Sequence, residues 1–256
     1  MSDPIADANA GHRARLRKRY ASGGLAPMLD YEKLELVLTF LIPRRDTKPL
    51  AKLLIQEFKT LSGVLSQSRE RLLQVPGVGE STATFLSLIK ELGEDYLKSR
   101  VLSSDLLRNT AEAVRYARMK MGSSSVEEML FIYTDSNGRV VKIENQYGSR
   151  FQLKPDLNRM VQVIANERVT GLILIHNHPG GNCIPSANDV TFTEKLRMLT
   201  EMLQVNLLDH IIVTHDRHCS LVGYLAKEAK DRPAPGRSFS DDMTISSGFE
   251  IDYVVQ

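Results

Sequence analysis

The stretch from His176 to Asp189, His-Asn-His-Pro-Gly-Gly-Asn-Cys-Ile-Pro-Ser-Ala-Asn-Asp, carries two histidines separated by one residue, then seven residues, a serine, two residues and an aspartate. Imidazole, carboxylate, thiol and hydroxyl groups therefore fall in one short segment. The preceding run, Gly171-Leu172-Ile173-Leu174-Ile175, is continuous, apolar and branched, which predicts a buried strand. Side chains alternate along a strand, so His176 and His178 share a face if extended backbone persists. Two imidazoles at the exit of a buried strand suit a tetrahedral zinc site. Pro185 and Ser186 predict a turn into a helix capped by Ser186, Asn188 or Asp189, with apolar spacing continuing through Leu196, Leu199, Met202 and Leu203. Asp189 then lies in the first turn, within reach of the strand end.

Competing metal motifs are absent from the sequence. There is no His-Glu-x-x-His. The zinc deaminase signature needs a Pro-Cys-x-x-Cys pair, and Cys183 stands alone in its segment. His-Asn-His as spelled is not the nuclease motif of that name, whose residues are spread over a longer unit. Cys183 and Cys219 are the only cysteines, which predicts free thiols in a reducing cytoplasm.

The segment resembles the metal motif of the JAMM (MPN+) metallohydrolases, with all four motif positions matched. His-Asn-His-Pro-x-Gly, Pro-Ser-x-x-Asp, Leu208-Asp209-His210-Ile211-Ile212-Val213 and Ser220-Leu221 resemble the RadC branch in particular. Gly180 departs from it, standing where that branch usually has serine. Gly11 to Leu16 and Asp30 to Leu36 also resemble RadC, so the likeness covers about residues 11–226.

The resemblance implies one zinc ion held by His176, His178 and Asp189, with a metal-activated water attacking a peptide or isopeptide bond. It also implies a glutamate at the start of an early strand. Glu127 to Asp135 is that strand, followed by the Ser136-Asn137-Gly138 turn and Arg139 to Ile143. The expected base is Glu127. Glu128 is the alternative, since a one-residue slip swaps the inward face, and Glu144 is a weaker one. Ser186 is expected to donate a hydrogen bond to the oxyanion or to the activated water. Asp209 and His210 are either partners beneath the ligands or a buried structural pair.

The remaining chain gives this site its context. Net charge is +2, but residues 1–120 carry 20 Lys+Arg against 14 Asp+Glu and residues 121–256 carry 13 against 17. The basic cluster Arg13, Arg15, Arg17, Lys18 and Arg19 suits phosphate contact, or equally a self-solvated amphipathic helix. Pro76-Gly77-Val78-Gly79, with helical segments on both sides, resembles a helix-hairpin-helix. The amides of Gly77, Val78 and Gly79 would then meet a DNA phosphate without reading sequence. Glu80 directly after the turn opposes that, and such hairpins also serve as structural or protein-binding modules.

The expected organisation is a basic segment over 1–28, a helix-hairpin-helix domain over 29–100, a JAMM/MPN+ domain over 101–230 and a tail over 231–256. The fold class is α/β (α+β): a small all-helical domain, then a mixed-sheet domain with a cytidine-deaminase-like layout. Within the second domain the sequence predicts a helix over Leu106 to Met121, a hairpin, a helix around Leu157 to Asn166, the His-bearing strand, a helix and a strand over Leu208 to Thr214. Ile251 to Val255 has the pattern of an added strand. No signal peptide or membrane span is expected. The alternative to a hydrolase is a DNA-binding or DNA-processing protein. A third reading is a metal-stabilised interaction module without turnover.

Overall fold

A computed structural model describes residues 4–43, 45–147 and 155–231. The expected tail beyond 231, with its added strand, lies outside these residues. The chain divides into two compact units, 1–93 and 94–256, and the division falls inside one helix.

The first unit is helical: α1 (Pro4–Gly23), α2 (Asp30–Leu41), α3 (Lys48–Phe58), α4 (Leu61–Leu65), α5 (Arg69–Leu73) and the start of α6 (Glu80–Leu102). Pro49 sits in the first turn of α3, where its missing N–H breaks no helical bond. Thr60 and Ser68 cap α4 and α5 by accepting the amides of Gly63 and Arg71. Leu34, Leu38, Leu54, Val64, Leu72, Val78 and Leu86 close the core.

The second unit continues with α7 (Ala111–Met121), β1 (Glu128–Thr134), β2 (Val140–Tyr147), α8 (Leu157–Asn166), β3 (Gly171–Asn177), α9 (Ala187–Met202), β4 (Asn206–Val213), β5 (His218–Ser220) and α10 (Leu221–Asp231). The helix expected from Leu106 begins later. Asp105 and Asn109 accept the amides of Leu107 and Ala111, and these side-chain bonds hold the backbone in turns instead. Sheet order is β2-β1-β3-β4-β5, with only β3 and β4 parallel. Gly138 closes the β1–β2 turn at φ +75°, a conformation that suits glycine.

Strand alternation sorts the core. Leu130, Ile132, Ile173, Ile175, Ile211 and Val213 meet Tyr116, Ala117 and Met121 of α7. Met129, Phe131, Tyr133, Leu172 and Leu174 meet α8 and α9 through Met160, Val163 and Leu196. Both faces of the sheet are thus covered, which accounts for the unbroken apolar run of β3. Among the described residues no helix is long and apolar enough to cross a membrane.

Candidate metal centre

His176 is the sixth residue of the fully buried β3. Extended backbone carries on past the strand end, because the His178 amide donates to the Val213 carbonyl at 3.1 Å. Alternation then puts both imidazoles on the α9 face and Asn177 on the α7 face. Ser186 caps α9. Its hydroxyl oxygen accepts the Asp189 amide at 3.2 Å, and its own amide donates to Asp189 Oδ2 at 2.7 Å. This capping box turns the Asp189 carboxylate back toward the strand.

Three side chains therefore converge. His176 Nε2 stands 3.0 Å from His178 Nε2 and 3.3 Å from Asp189 Oδ1, and His178 Nε2 stands 3.3 Å from Asp189 Oδ2. Their ligand atoms all lie within 4.8 Å of one another, a group able to hold a metal ion. Cys183 is half-buried and contributes no atom to this group.

The hydrogen bonds orient the second imidazole. His178 Nδ1 lies 2.8 Å from the Asn182 carbonyl, which can only accept, so Nδ1 carries the hydrogen. In neutral His178 the lone pair is then on Nε2, aimed at the Asp189 carboxylate and at His176. Only a cation or a proton relieves such a convergence of acceptors.

Electrostatics follow from this crowding. Burial alone would raise the Asp189 carboxyl, but hydrogen bonds from His176 and His178, once an imidazole carries a second proton on Nε2, and from Ser186 hold it far below the carboxylate range. The hydrogen bond to Asp189 raises His178, against the opposing effect of burial, and Glu127 adds to the rise. In metal-free protein the pair therefore has a defined pH window. The raised histidine contributes stability below its ordinary value, lost as pH climbs through its folded value. The depressed aspartate contributes stability above its ordinary value, lost as pH falls below it. Their joint contribution is expected to be largest between about pH 4 and 6.5. Tm of chelator-treated protein across pH 4–9 should show a shoulder there, and Asp189→Asn should remove it.

The glutamates separate by face. Met129 pairs with His176, so the β1–β3 register sets Glu127 opposite His178 on the ligand face and Glu128 opposite Asn177. Glu127 is exposed just before β1, while Glu128 is buried and accepts from Asn145 Nδ2 at 3.1 Å. Glu144 is held by Arg159 at 2.8 Å, with Lys142 at 3.5 Å. The Ser186 hydroxyl donates to Asp189 Oδ2 at 2.6 Å.

Beneath the ligands the expected pair divides. His210 is fully buried against His176, with Nε2 at 2.8 Å from His176 Nδ1. Burial and the neighbouring His176 push its pKa well down. Asp209 faces elsewhere. It accepts from Ser220 Oγ at 2.8 Å at the start of α10, and burial pushes its carboxyl up to about 6. Sequence reasoning missed Asn177, treating it as spacing between ligands. Its Oδ1 accepts the Glu128 amide at 2.7 Å and its Nδ2 donates to the Val126 carbonyl at 3.0 Å. The available signal was a polar residue on the covered face of an apolar strand.

The expected phosphate contacts fare unevenly. Arg13 is buried, and its guanidinium donates to the carbonyls of Thr39, Ile42, Pro43 and Arg45 around the end of α2. It closes that helix and is not presented to solvent. Arg19 pairs with Glu32 and donates to the Pro27 carbonyl. Arg15, Arg17 and Lys18 are exposed, with Arg17 over the Phe40 ring. In the turn between α5 and α6, the Val78 amide is committed to the Val75 carbonyl at 3.0 Å, so it is not offered to a phosphate. Gly77 (φ +92°) and Gly79 are exposed, and Glu80 pairs with Arg69.

Comparison with known proteins bears on the same region. The RadC-like JAB domain family model matches residues 107–228. A UPF0758 protein of Fusobacterium nucleatum subsp. nucleatum is 33% identical over 222 residues, covering 84% of this chain and 96% of that relative. A UPF0758 protein of Ruegeria pomeroyi is 36% identical over 203 residues, covering 79% and 91%.

Proposed function

We propose, from the premise that this chain belongs to the RadC family, that it is a zinc-dependent hydrolase of a peptide or isopeptide bond. The observation that carries the reading is the convergence of two imidazoles and one carboxylate at 3.0–3.3 Å. At zinc–ligand lengths of about 2.0–2.1 Å, tetrahedral geometry sets ligand atoms about 3.3 Å apart. The donor set fits that spacing, and three protein ligands leave one position for water or substrate.

His176, His178 and Asp189 would hold the ion. When bound, zinc supplies Lewis acidity, polarising a carbonyl and lowering the pKa of water beside it. Glu127, exposed on the ligand face, takes a proton from the attacking water and passes it to the departing amine as the C–N bond breaks. Ser186 positions Asp189. Donation from its hydroxyl to an oxyanion requires that hydroxyl to turn away from Asp189 Oδ2. The two free thiols favour a reducing compartment, the cytoplasm.

Metal analysis of purified protein is expected to give one zinc per chain. Hydrolysis of a peptide-conjugate substrate should stop on chelation and return with zinc. Turnover that survives chelation, or a chain that takes up no zinc, sinks the reading. A second reading, non-specific DNA contact, draws on exposed Arg15, Arg17 and Lys18 and on Gly77 and Gly79 at the hairpin. It predicts salt-dependent retention on DNA that weakens when those three cations are replaced. No retention at low salt removes it.

A further inference from the structure

We infer that Thr193 and His210 are positioning residues that fix which ring nitrogen of His176 faces the metal. The inference rests on the proposed metal site. It starts from a chain of contacts that both begins and ends at Asp189. Thr193, one turn along α9, places Oγ1 at 2.6 Å from the Asp189 carbonyl. The same Oγ1 lies 2.6 Å from His210 Nδ1. His210 Nε2 lies 2.8 Å from His176 Nδ1. His176 Nε2 then faces the Asp189 carboxylate at 3.3 Å.

Hydrogen counting gives this chain one direction. The Asp189 carbonyl can only accept, so the single Thr193 hydroxyl hydrogen goes to it. The reverse arrangement would press a carbonyl and a hydroxyl oxygen together at 2.6 Å without a hydrogen between them. Thr193 Oγ1 must therefore accept from His210 Nδ1–H. His210 is fully buried, with His176 and the Thr193 hydroxyl as its ring-nitrogen partners and, among the described residues, no carboxylate bonded to it. A charged ring there would lack a counter-ion, so Nε2 bears the lone pair and accepts from His176 Nδ1. His176 Nδ1 carries the hydrogen, and its Nε2 lone pair is turned to the ligand cluster.

The chain also explains why a histidine stands at 210. Register pairs His210 with Leu174, on the face and in the row below His176. An aliphatic side chain there would fill the space but leave His176 Nδ1–H unbonded, and the imidazole would lose its preference between tautomers. Thr193 and His210 touch neither substrate nor metal. They act through His176.

NMR of isotope-labelled, metal-free protein, at a pH high enough for neutral imidazoles, reads the tautomers directly. The expected result is Nδ1–H on His176 and on His210. Chelator competition reads zinc affinity. Thr193→Val and His210→Leu are expected to weaken it by about 10–100-fold, the usual cost of losing a partner behind a ligand. His210→Gln, whose amide oxygen reaches the place of Nε2, should stay within about threefold of wild type. An Nε2–H tautomer on His176 overturns the inference. So does unchanged zinc affinity in both Thr193→Val and His210→Leu when both are folded. Should His210→Leu not fold, Thr193→Val decides alone. If the tautomers are as expected but wild-type protein takes up no zinc, the positioning holds and the hydrolase reading falls.

Discussion

Glu127→Gln is expected to cut hydrolysis by about 10²–10⁴-fold while zinc content stays at one ion per chain, the loss typical of removing a general acid–base group. Gln keeps the shape and polarity of the side chain but cannot take up a proton at neutral pH. Glu127 is exposed, so the fold should hardly register the change, within about 0.5 kcal/mol. Strand register separates this residue from its neighbour. With Met129 opposite His176, residue 127 shares the face of His178 and residue 128 points to the other side. Glu128→Gln is the control. It keeps an acceptor for Asn145 and should leave turnover near wild type. Full turnover in Glu127→Gln, measured alongside metal content, would remove Glu127 from the mechanism.

Asn177→Leu is expected to have the largest effect on the fold, about 3–5 kcal/mol. Asn177 is completely buried and ties down two backbone groups, the Glu128 amide and the Val126 carbonyl. Leucine matches its size but leaves both groups without that partner inside the protein, at about 1–3 kcal/mol each, and adds strain from a branched tip. Those two groups flank Glu127, so its backbone is held from both sides by the residue between the two ligands. Denaturant unfolding should show the loss of stability. In the folded fraction turnover should fall by more than zinc affinity, since His176 and His178 remain anchored by β3 itself. A stability change under about 1 kcal/mol would mean that water replaces the amide at that position.

Much of this site was legible in the sequence because its determinants are local. Ser186 and Asp189 are three residues apart, and the capping box that joins them is a property of that spacing. The apolar run before His176 specified a buried strand, and the Ser136-Asn137-Gly138 turn specified the hairpin that brings Glu127 to its start. What was not legible depends on pairs remote in sequence. Thr193 reads as an ordinary helical residue until His210 is known to stand 2.6 Å away. Asn177 reads as a spacer until Val126 and Glu128 are seen across the strand pair. Arg13 carried the same charge as its neighbours in a basic cluster. Only the fold turns it inward onto the end of α2 while Arg15 stays in solvent. The start of α7 lies later than the apolar spacing predicts for a local reason, the competition of Asp105 and Asn109 for backbone amides.

The segment between the second histidine and the cap of α9 makes its hydrogen bond to His178 through a backbone oxygen, that of Asn182. A carbonyl is furnished by every residue type, so this contact makes no demand on the identity of residue 182. The Ile184 side chain, at 52% exposure, can change without disturbing the ligand-bearing strand or the aspartate on the helix. The candidate metal centre is thereby built from separable parts, a fixed chassis of strand and helix and a connecting arch. Within the arch, Gly181 at φ +76° and the Asn182 side chain, which accepts the Ile184 amide at 3.0 Å, set the path of the backbone, and exposed Ile184 is the position where a side chain changes at least cost to the ligand cluster.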